Sequence, residues 1–154
     1  MEFELPPDFK ELLESLNRHE VRYLLIGGYA VGIHGYARST NDIDFCVSGD
    51  EDNAEKLVRA LTEFGFGSDS LSVEVFTRKD SLVIMGVEPL AVDILNYLNG
   101  VDFESAYERR KIVICEGIEI SLIGFDDLIA NKISTGRHKD MDDVEFLKRV
   151  NPDC

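Results

Sequence analysis

Residues 23–47 read YLLIGGYAVGIHGYARSTNDIDFCV, and this stretch decides the fold. Its opening apolar run, Tyr23 to Ile26, is typical of a buried strand that ends at the pair Gly27-Gly28. A short helix is predicted from Tyr29 to Gly35, and a second strand from Ile43 to Val47. Glycines between a strand and a helix let a ligand approach the backbone, and the helix start presents free N–H groups to an anion. A tight turn without any ligand would explain the same pair.

Two aspartates mark the second predicted strand: Asp42 immediately precedes it, and Asp44 is its second residue. Because side chains alternate between the faces of a strand, Asp42 and Asp44 point to one side while Ile43 and Phe45 point into the core. Carboxylates placed in this way can bind one cation or two, and Mg²⁺ prefers such oxygen ligands together with water and substrate phosphates. A solvated polar edge on an amphipathic strand would give the same pattern.

A third carboxylate, Asp93, interrupts the otherwise apolar run from Leu90 to Leu95. An isolated buried carboxylate is costly unless it is paired or bound to a metal ion. The alternative is a strand-end aspartate that reaches solvent or caps a turn. Together, the three carboxylates can build a two-metal site, which stabilises the attacking and leaving oxygens of a phosphoryl displacement. We therefore predict that Asp42, Asp44 and Asp93 are metal ligands.

Three other ligand-binding motifs do not fit this stretch. The residues after Gly32 are Ile33-His34, which excludes a P-loop. The glycines do not spell the dinucleotide fingerprint, and the apolar pattern continues past Asp44, where a ribose-binding acid would end its strand. An EF-hand loop also needs a glycine at its sixth position, which Asp42-x-Asp44 lacks.

The charge of the chain limits its partners. Its 154 residues include 16 Lys and Arg and 30 Asp and Glu, for a formal net charge of −14. This balance argues against extended nucleic-acid binding and against anionic membranes. Two stretches, 21–41 and 128–139, contain no acid, and there a triphosphate can be tolerated. The candidate contacts in these stretches are Arg38, Thr40 and Lys132. Arg137, which follows Gly136, is of the type suited to bidentate phosphate contacts, or it neutralises the acids that follow it.

Lys132 has a second explanation that is as good as the first. It lies close in sequence to a run of acids, and it could simply neutralise them. The acids concerned are Asp140, Asp142 and Asp143.

The rest of the chain predicts one α+β domain over residues 1–154, a mixed β-sheet flanked by helices. A helix begins at Pro6-Pro7-Asp8 and another near Gly49. Strands are predicted from Val73 to Thr77 and from Leu82 to Met85, then a hairpin through Glu116-Gly117, then two C-terminal helices. Three widely spaced cysteines, no signal-peptide pattern and no apolar run of membrane-spanning length favour a cytoplasmic protein.

Taken together, Gly27-Gly28, Asp42-Ile43-Asp44 and Val92-Asp93-Ile94 closely resemble the pattern of the nucleotidyltransferase superfamily, which has the DNA-polymerase-β-like fold. The string from residue 27 to residue 44 is similar to small prokaryotic members, including the nucleotidyltransferases of abortive-infection toxin systems. The tail from Asp127 to Asp143 is similar to theirs as well. The resemblance spans roughly residues 22–147.

The resemblance implies that the three aspartates hold two Mg²⁺ or Mn²⁺ ions and that Asp93 activates an acceptor hydroxyl. It implies that Gly27 and Gly28 cradle the triphosphate, supported by Arg38, Thr40 and Lys132. The reaction would move a nucleoside monophosphate from a nucleoside triphosphate to an acceptor, which could be a protein, a tRNA or a small molecule. The expected macromolecular partner is an antitoxin or a second copy of the chain. The alternative function is an NTP-binding or regulatory module that no longer turns over.

Overall fold

The computed structural model describes residues 5–35, 42–67, 71–86 and 91–150. It confirms the α+β class. In the described part of the chain, no helix is both long and apolar enough to cross a membrane. The elements in chain order are α1 (Pro7–Arg18), β1 (Tyr23–Ile26), α2 (Gly27–Ile33), β2 (Asp42–Val47), α3 (Glu51–Phe64), α4 (Val73–Thr77), β3 (Leu82–Met85), β4 (Ala91–Leu95), α5 (Phe103–Glu108), β5 (Lys111–Cys115), β6 (Ile118–Leu122), α6 (Phe125–Thr135) and α7 (His138–Val150).

A single mixed sheet of six strands forms the centre of this architecture, in the order β3-β4-β2-β1-β6-β5. Strand β2 is antiparallel to β1 and parallel to β4, while β1 is parallel to β6. All four residues of β1 are buried, as the continuous apolar run predicts for a strand in the middle of a sheet. The parallel pairing of β2 with β4 matters most for function, because it brings together two segments about fifty residues apart in the chain.

Helix α1 shows how the apolar pattern becomes packing. Its residues at i, i+3, i+4 and i+7 are all buried in the core, in contact with α3 and β6. Removing each such side chain from water contributes about 1.5–3 kcal/mol before the entropy of ordering is subtracted. The four residues are Phe9, Leu12, Leu13 and Leu16.

The hairpin and the helix ends follow their local sequence signals. Glu116 and Gly117, with φ of +51° and +85°, form the two-residue turn between β5 and β6 that was predicted. Helix α3 begins after Asp50, whose carboxylate accepts a hydrogen bond from the backbone N–H of Asn53. It ends at Gly65, whose φ is +120°.

One predicted strand is wrong. Residues Val73–Thr77 form helix α4, which packs against α3 and buries Phe76 in the core. Five residues of mixed apolar and polar character do not distinguish strand from helix by periodicity alone. In the helical conformation, Phe76 is buried in the core. The edge position beside β4, which a strand at Val73–Thr77 could have taken, is occupied by β3.

The two predicted C-terminal helices are confirmed, and only some of their apolar side chains are buried. Leu128 and Ile129 of α6 enter the core, whereas Ile133 is exposed. In α7, Val144 and Leu147 are buried, and Met141 and Val150 are exposed. Helix α5 was not predicted from the sequence. Its local signal is Asp102, whose carboxylate accepts a hydrogen bond from the backbone N–H of Ser105.

Candidate functional site

The parallel register of β2 and β4 places Asp44 directly opposite Asp93. Neighbouring strands lie about 4.8 Å apart, and residues opposite each other share a face of the sheet. The two carboxyl groups are hydrogen-bonded to each other, which requires that one of them carries a proton. Asp42, two residues before Asp44 on the same strand, lies on the same face. The sequence-predicted carboxylates therefore meet on one surface.

The protonation of this pair reflects its surroundings. Burial, followed by the negative charge of Asp93, raises the pKa of Asp44 to about 7. The pKa of Asp93 is also raised, mainly by burial, although its hydrogen bond to Asp44 opposes the rise. The charge of Asp42 raises both pKa values, and Lys132 lowers that of Asp44. In the absence of another cation, the pair retains a proton close to neutral pH.

Gly27 is required by the geometry beside this pair. Its φ is +70°, in the left-handed region that residues with a Cβ rarely adopt. A Cβ added there would lie 2.0 Å from Oδ2 of Asp44 and 2.9 Å from its Cγ. Helix α2 begins at Gly27, two residues before the predicted start at Tyr29, so Gly28 is buried in its first turn. The close approach of backbone to carboxylate explains the first glycine of the pair.

A cavity of about 480 Å³ opens in front of the carboxylates. This volume lies in the range of small-molecule sites. One wall contains Gly27, Asp44 and Asp93, and an apolar part contains Leu82 and Leu95. The remaining wall comes from α6 and the segment that leads into α7. Its polar residues are Asn131, Lys132, Ser134, Thr135, Arg137 and Asp140.

Lys132 lies in this wall and is engaged with two carboxylates. Its Nζ lies 2.9 Å from Oδ1 of Asp140 and 3.1 Å from Oδ2 of Asp143. Neutralisation of acids, one of the two explanations of Lys132, is thus observed for Asp140 and Asp143, while Asp142 is exposed. Because Lys132 also lines the cavity and lowers the pKa of Asp44, contact with a nucleotide stays a prediction.

Asp140 is the centre of the polar network around Lys132. It accepts hydrogen bonds from the hydroxyl of Thr135, from Nζ of Lys132 and from Nε of Arg137. Burial raises the pKa of Asp140, but these three donors outweigh it and lower the pKa to about 2. The carboxylate therefore remains ionised throughout the physiological range. It joins α6 to α7 at the edge of the cavity.

The structure brings together only part of the predicted nucleotide site. Gly27, Asp44, Asp93 and Lys132 line one cavity, whereas Arg38 and Thr40 lie outside the described residues. Across residues 5–35, 42–67, 71–86 and 91–150, no three His, Cys, Asp or Glu side chains form a preassembled metal site. Metal binding by the aspartates stays a prediction.

Sequence reasoning named Arg137 as suited to phosphate contacts without including it among the site residues, and it did not include the cavity residues Thr135 and Asp140. For Arg137 a signal existed, since it follows Gly136 at the end of the acid-free stretch 128–139. For Asp140 no local signal distinguishes it from the neighbouring acids, because its burial depends on how α7 packs against α6. The loop after β4, which adds Tyr97, Leu98 and Asn99 to the cavity, was also not predicted.

Comparison with known proteins agrees with this geometry. The profile of a family described as nucleotidyltransferase of unknown function (DUF6036) matches residues 3–151. Among proteins with curated functions, none matches the sequence. A crystal structure of a candidate nucleotidyltransferase from Thermotoga maritima is 16% identical, with a TM-score of 0.59 over 94% of this chain and 91% of its own. An antigenic nucleotidyltransferase-like protein from Paracoccidioides brasiliensis is 15% identical, with a TM-score of 0.55 over 92% of this chain and 73% of its own. At such identities the two structures show a shared fold.

Proposed function

Since the chain belongs to the DUF6036 family of nucleotidyltransferases, we propose that it transfers a nucleoside monophosphate from a nucleoside triphosphate to an acceptor hydroxyl in a metal-dependent reaction. The acceptor oxygen forms a bond to the α-phosphorus, and the bond from that phosphorus to the bridging oxygen of the β-phosphate breaks. Pyrophosphate leaves with the electron pair of that bond. The acceptor's proton passes to a carboxylate oxygen of Asp93.

The paired carboxylates of Asp44 and Asp93 support this function most directly. They lie side by side at the wall of a cavity of about 480 Å³, where the other wall carries two cations. A triphosphate in this cavity would be repelled by ionised carboxylates unless a cation lay between them. An anionic substrate and an acidic wall are therefore compatible when divalent metal ions bridge them.

The donor chemistry of the pair fits such ions. The ligating atoms would be carboxylate oxygens, which Mg²⁺ and Mn²⁺ prefer, and the raised pKa values of Asp44 and Asp93 are consistent with two acids placed close together without a cation between them. Asp44 and Asp93 would hold the metal, with Asp42 as the third ligand. When bound, the metal ions would neutralise charge on the transferred phosphoryl group and on the leaving oxygen.

The remaining residues of the proposed site position the substrate. Gly27 has no side chain, which leaves the backbone beside Asp44 open to a phosphate, and Gly28 begins the helix behind it. Lys132 contributes positive charge to the opposite wall. Arg38 and Thr40 are proposed from the sequence as further phosphate contacts. Alignment of the reacting groups and stabilisation of charge would provide most of the catalysis.

The acceptor and the biological role belong to the same proposal. A net charge of −14 argues against an acceptor that is bound along a length of nucleic acid. A protein side chain, the end of a tRNA and a small polyhydroxylated molecule are the acceptors to test. From the similarity of residues 27–44 to abortive-infection enzymes, we propose that the chain is the toxin of a toxin–antitoxin pair.

The proposed activity is tested by incubating the protein with each of the four α-labelled nucleoside triphosphates, Mg²⁺ or Mn²⁺, and the candidate acceptors. We expect covalent transfer of label that requires the metal. Asp44→Asn should reduce the rate by at least about 100-fold, because it removes a charged group from the reacting centre. Asp142→Asn is the matched control, since Asp142 is an exposed aspartate of α7 outside the cavity.

Two results would contradict parts of this proposal. Label transfer by Asp44→Asn at the wild-type rate would remove Asp44 from the reacting centre. Triphosphate binding without transfer to any acceptor would instead favour the binding module that has lost turnover.

A further inference from the structure

Two cations line the cavity among the residues that the structure describes, and they are held very differently. Lys132 extends from α6, and Arg137 lies between α6 and α7. Both line the same cavity as Asp44 and Asp93. A triphosphate in the cavity needs direct donors in addition to bridging metal ions. The question is which of the two cations can provide them.

The ammonium group of Lys132 is paired with carboxylates of the protein itself. Its side chain is only 6% exposed, and its ammonium group contacts both Asp140 and Asp143, which are each 2% exposed. If the ammonium group turned toward a ligand, the buried carboxylates of Asp140 and Asp143 would both lose their ion pair with Lys132, and Asp140 would keep its pairing with Arg137. Uncompensated buried charge is strongly unfavourable, so this movement is disfavoured. Lys132 therefore contributes to the electrostatic field of the cavity from a fixed position.

Arg137 is held through one nitrogen of its guanidinium, while most of its side chain is exposed. Its Nε donates a hydrogen bond of 2.6 Å to Oδ2 of Asp140, yet 71% of its side chain is exposed. Asp140 is its sole ion-pair partner within the described residues, and the bond from Nε does not use either terminal amino group of the guanidinium. The pairing with Asp140 orients the guanidinium, while four N–H donors stay available.

We propose that Arg137 is the residue that binds the triphosphate directly. Lys132 instead has a structural role, since its buried ion pairs with Asp140 and Asp143 hold α7 against α6. This inference rests on the proposed function, because it requires a phosphate ligand in the cavity. A planar guanidinium matches two phosphate oxygens at once, and it is more weakly hydrated than an ammonium group. Asp140 is then a positioning residue that acts on the ligand through Arg137.

The charge balance of this wall supports the assignment. Lys132 and Arg137 carry two positive charges, and Asp140 and Asp143 carry two negative charges. The four charges cancel formally, so the wall as a whole attracts an anion weakly at long range. The carboxylates of Asp140 and Asp143 are buried, whereas the side chain of Arg137 is exposed. A ligand that enters the cavity therefore contacts the positive charge of Arg137 rather than the negative charges of the two aspartates. Attraction is thus local and concentrated at Arg137.

The test is isothermal titration of ATP, and separately of inorganic tripolyphosphate, into the wild type, Arg137→Gln and Arg149→Gln in the presence of Mg²⁺. Arg149 is the matched control, because it is 67% exposed on α7 and pairs with Glu145 away from the cavity. We expect Arg137→Gln to raise the Kd for both ligands about 10- to 100-fold, the effect of losing charge-assisted hydrogen bonds. Arg137→Gln also removes one of the three donors to the buried carboxylate of Asp140, so it should lower the melting temperature, and the titrations are made well below the unfolding transition of each variant. Arg149→Gln should bind like the wild type.

The outcomes separate this inference from the proposed function. If the wild type binds ATP and Arg137→Gln binds both ligands as tightly, the assignment of Arg137 is overturned while the proposed function stands. An equal loss in Arg149→Gln would also overturn it, because the effect would then reflect net charge. If the wild type binds neither ligand, the proposed function fails, and this inference fails with it.

Lys132→Gln tests the other half of the assignment. We expect a clearly lower melting temperature and, below the unfolding transition, a smaller loss of affinity for tripolyphosphate than in Arg137→Gln, because only the electrostatic field of the ammonium group is lost and no direct contact. An unchanged melting temperature together with a loss of affinity as large as that of Arg137→Gln would assign the phosphate contact to Lys132 and overturn the proposal.

Discussion

Gly27→Ala tests the packing of backbone against carboxylate at the site. The substitution has two separable effects. An L-residue at a φ of +70° costs about 1–2 kcal/mol. In addition, the new Cβ would lie 2.0 Å from Oδ2, 2.9 Å from Cγ and 3.0 Å from Cβ of Asp44. Because Cγ and Cβ of Asp44 are also close to the new Cβ, rotation of the carboxylate alone cannot relieve the overlap, and the side chain of Asp44 must leave its position opposite Asp93.

Gly136→Ala isolates the first of these effects. Gly136 has a φ of +67°, nearly the same as that of Gly27, and a Cβ added there would meet no atom within 4 Å. Displacement of Asp44 adds about 0.5–1.5 kcal/mol for a strained rotamer and about 1–3 kcal/mol for the buried hydrogen bond to Asp93. We therefore expect Gly27→Ala to lower the free energy of unfolding by roughly 2–4 kcal/mol more than Gly136→Ala does.

Urea denaturation at neutral pH measures both variants by linear extrapolation. The double variant Gly27→Ala/Asp44→Ala should recover the part of the excess that comes from the overlap, because it removes the two closest atoms, but not the part that comes from the lost hydrogen bond to Asp93. Gly27→Ala should also reduce any transferase activity by about 100-fold, the effect expected when a reacting group moves by about 1 Å. Equal destabilisation by Gly27→Ala and Gly136→Ala would refute the contact between Gly27 and Asp44.

Three further predictions concern charge. The pKa of Asp44 is raised from 3.8 to about 7, so the native state retains a proton that the unfolded chain releases, and stability should fall as pH rises from about 4 to about 7. In Asp44→Asn, the decrease in the free energy of unfolding over this pH range should be smaller by up to about 4 kcal/mol. If the urea midpoint of this variant depended on pH as strongly as that of the wild type, the prediction would be wrong. Mn²⁺ or Mg²⁺ should raise the melting temperature, because a ligand that binds only the native state at 100 times its Kd adds about 2.7 kcal/mol to the free energy of unfolding. An equally large rise in Asp93→Asn would exclude Asp93 as a metal ligand. Lys132→Met should destabilise the fold by about 3–5 kcal/mol, since the buried carboxylates of Asp140 and Asp143 lose the ammonium group that they share, although Asp140 keeps its ion pair with Arg137; a near-wild-type urea midpoint would show that the two carboxylates are solvated.

Much of the local structure was predictable because its causes are local. The apolar run of β1, the spacing of the buried leucines in α1 and the turn at Glu116-Gly117 all follow from residues within one or two turns of each other. The segment Val73–Thr77 shows the limit of this reasoning. Its five residues fit either element, and the contact of Phe76 with the core, which decides between them, is not a property of the segment.

The candidate site divides in the same way. The shared face of Asp42 and Asp44 follows from the two-residue period of any strand, so it could be predicted. The pairing of Asp44 with Asp93 required the parallel register of β2 and β4, in which a shift by one residue would turn Asp93 to the other face. Arg137 could be noticed as a cation in an acid-free stretch, but its exposure could not be predicted.

By itself, the sequence determined which residue types were available and on which side of its own strand or helix each one lies, because these properties depend on neighbours a few residues away. Only the tertiary structure decided which of the acids meet and which of the two cations remains open to a ligand. Lys132 had two equally good explanations in the sequence. The packing of α7 on α6 buries it between Asp140 and Asp143 and leaves Arg137 exposed, and burial determines whether a charge is neutralised within the protein or stays available to a substrate.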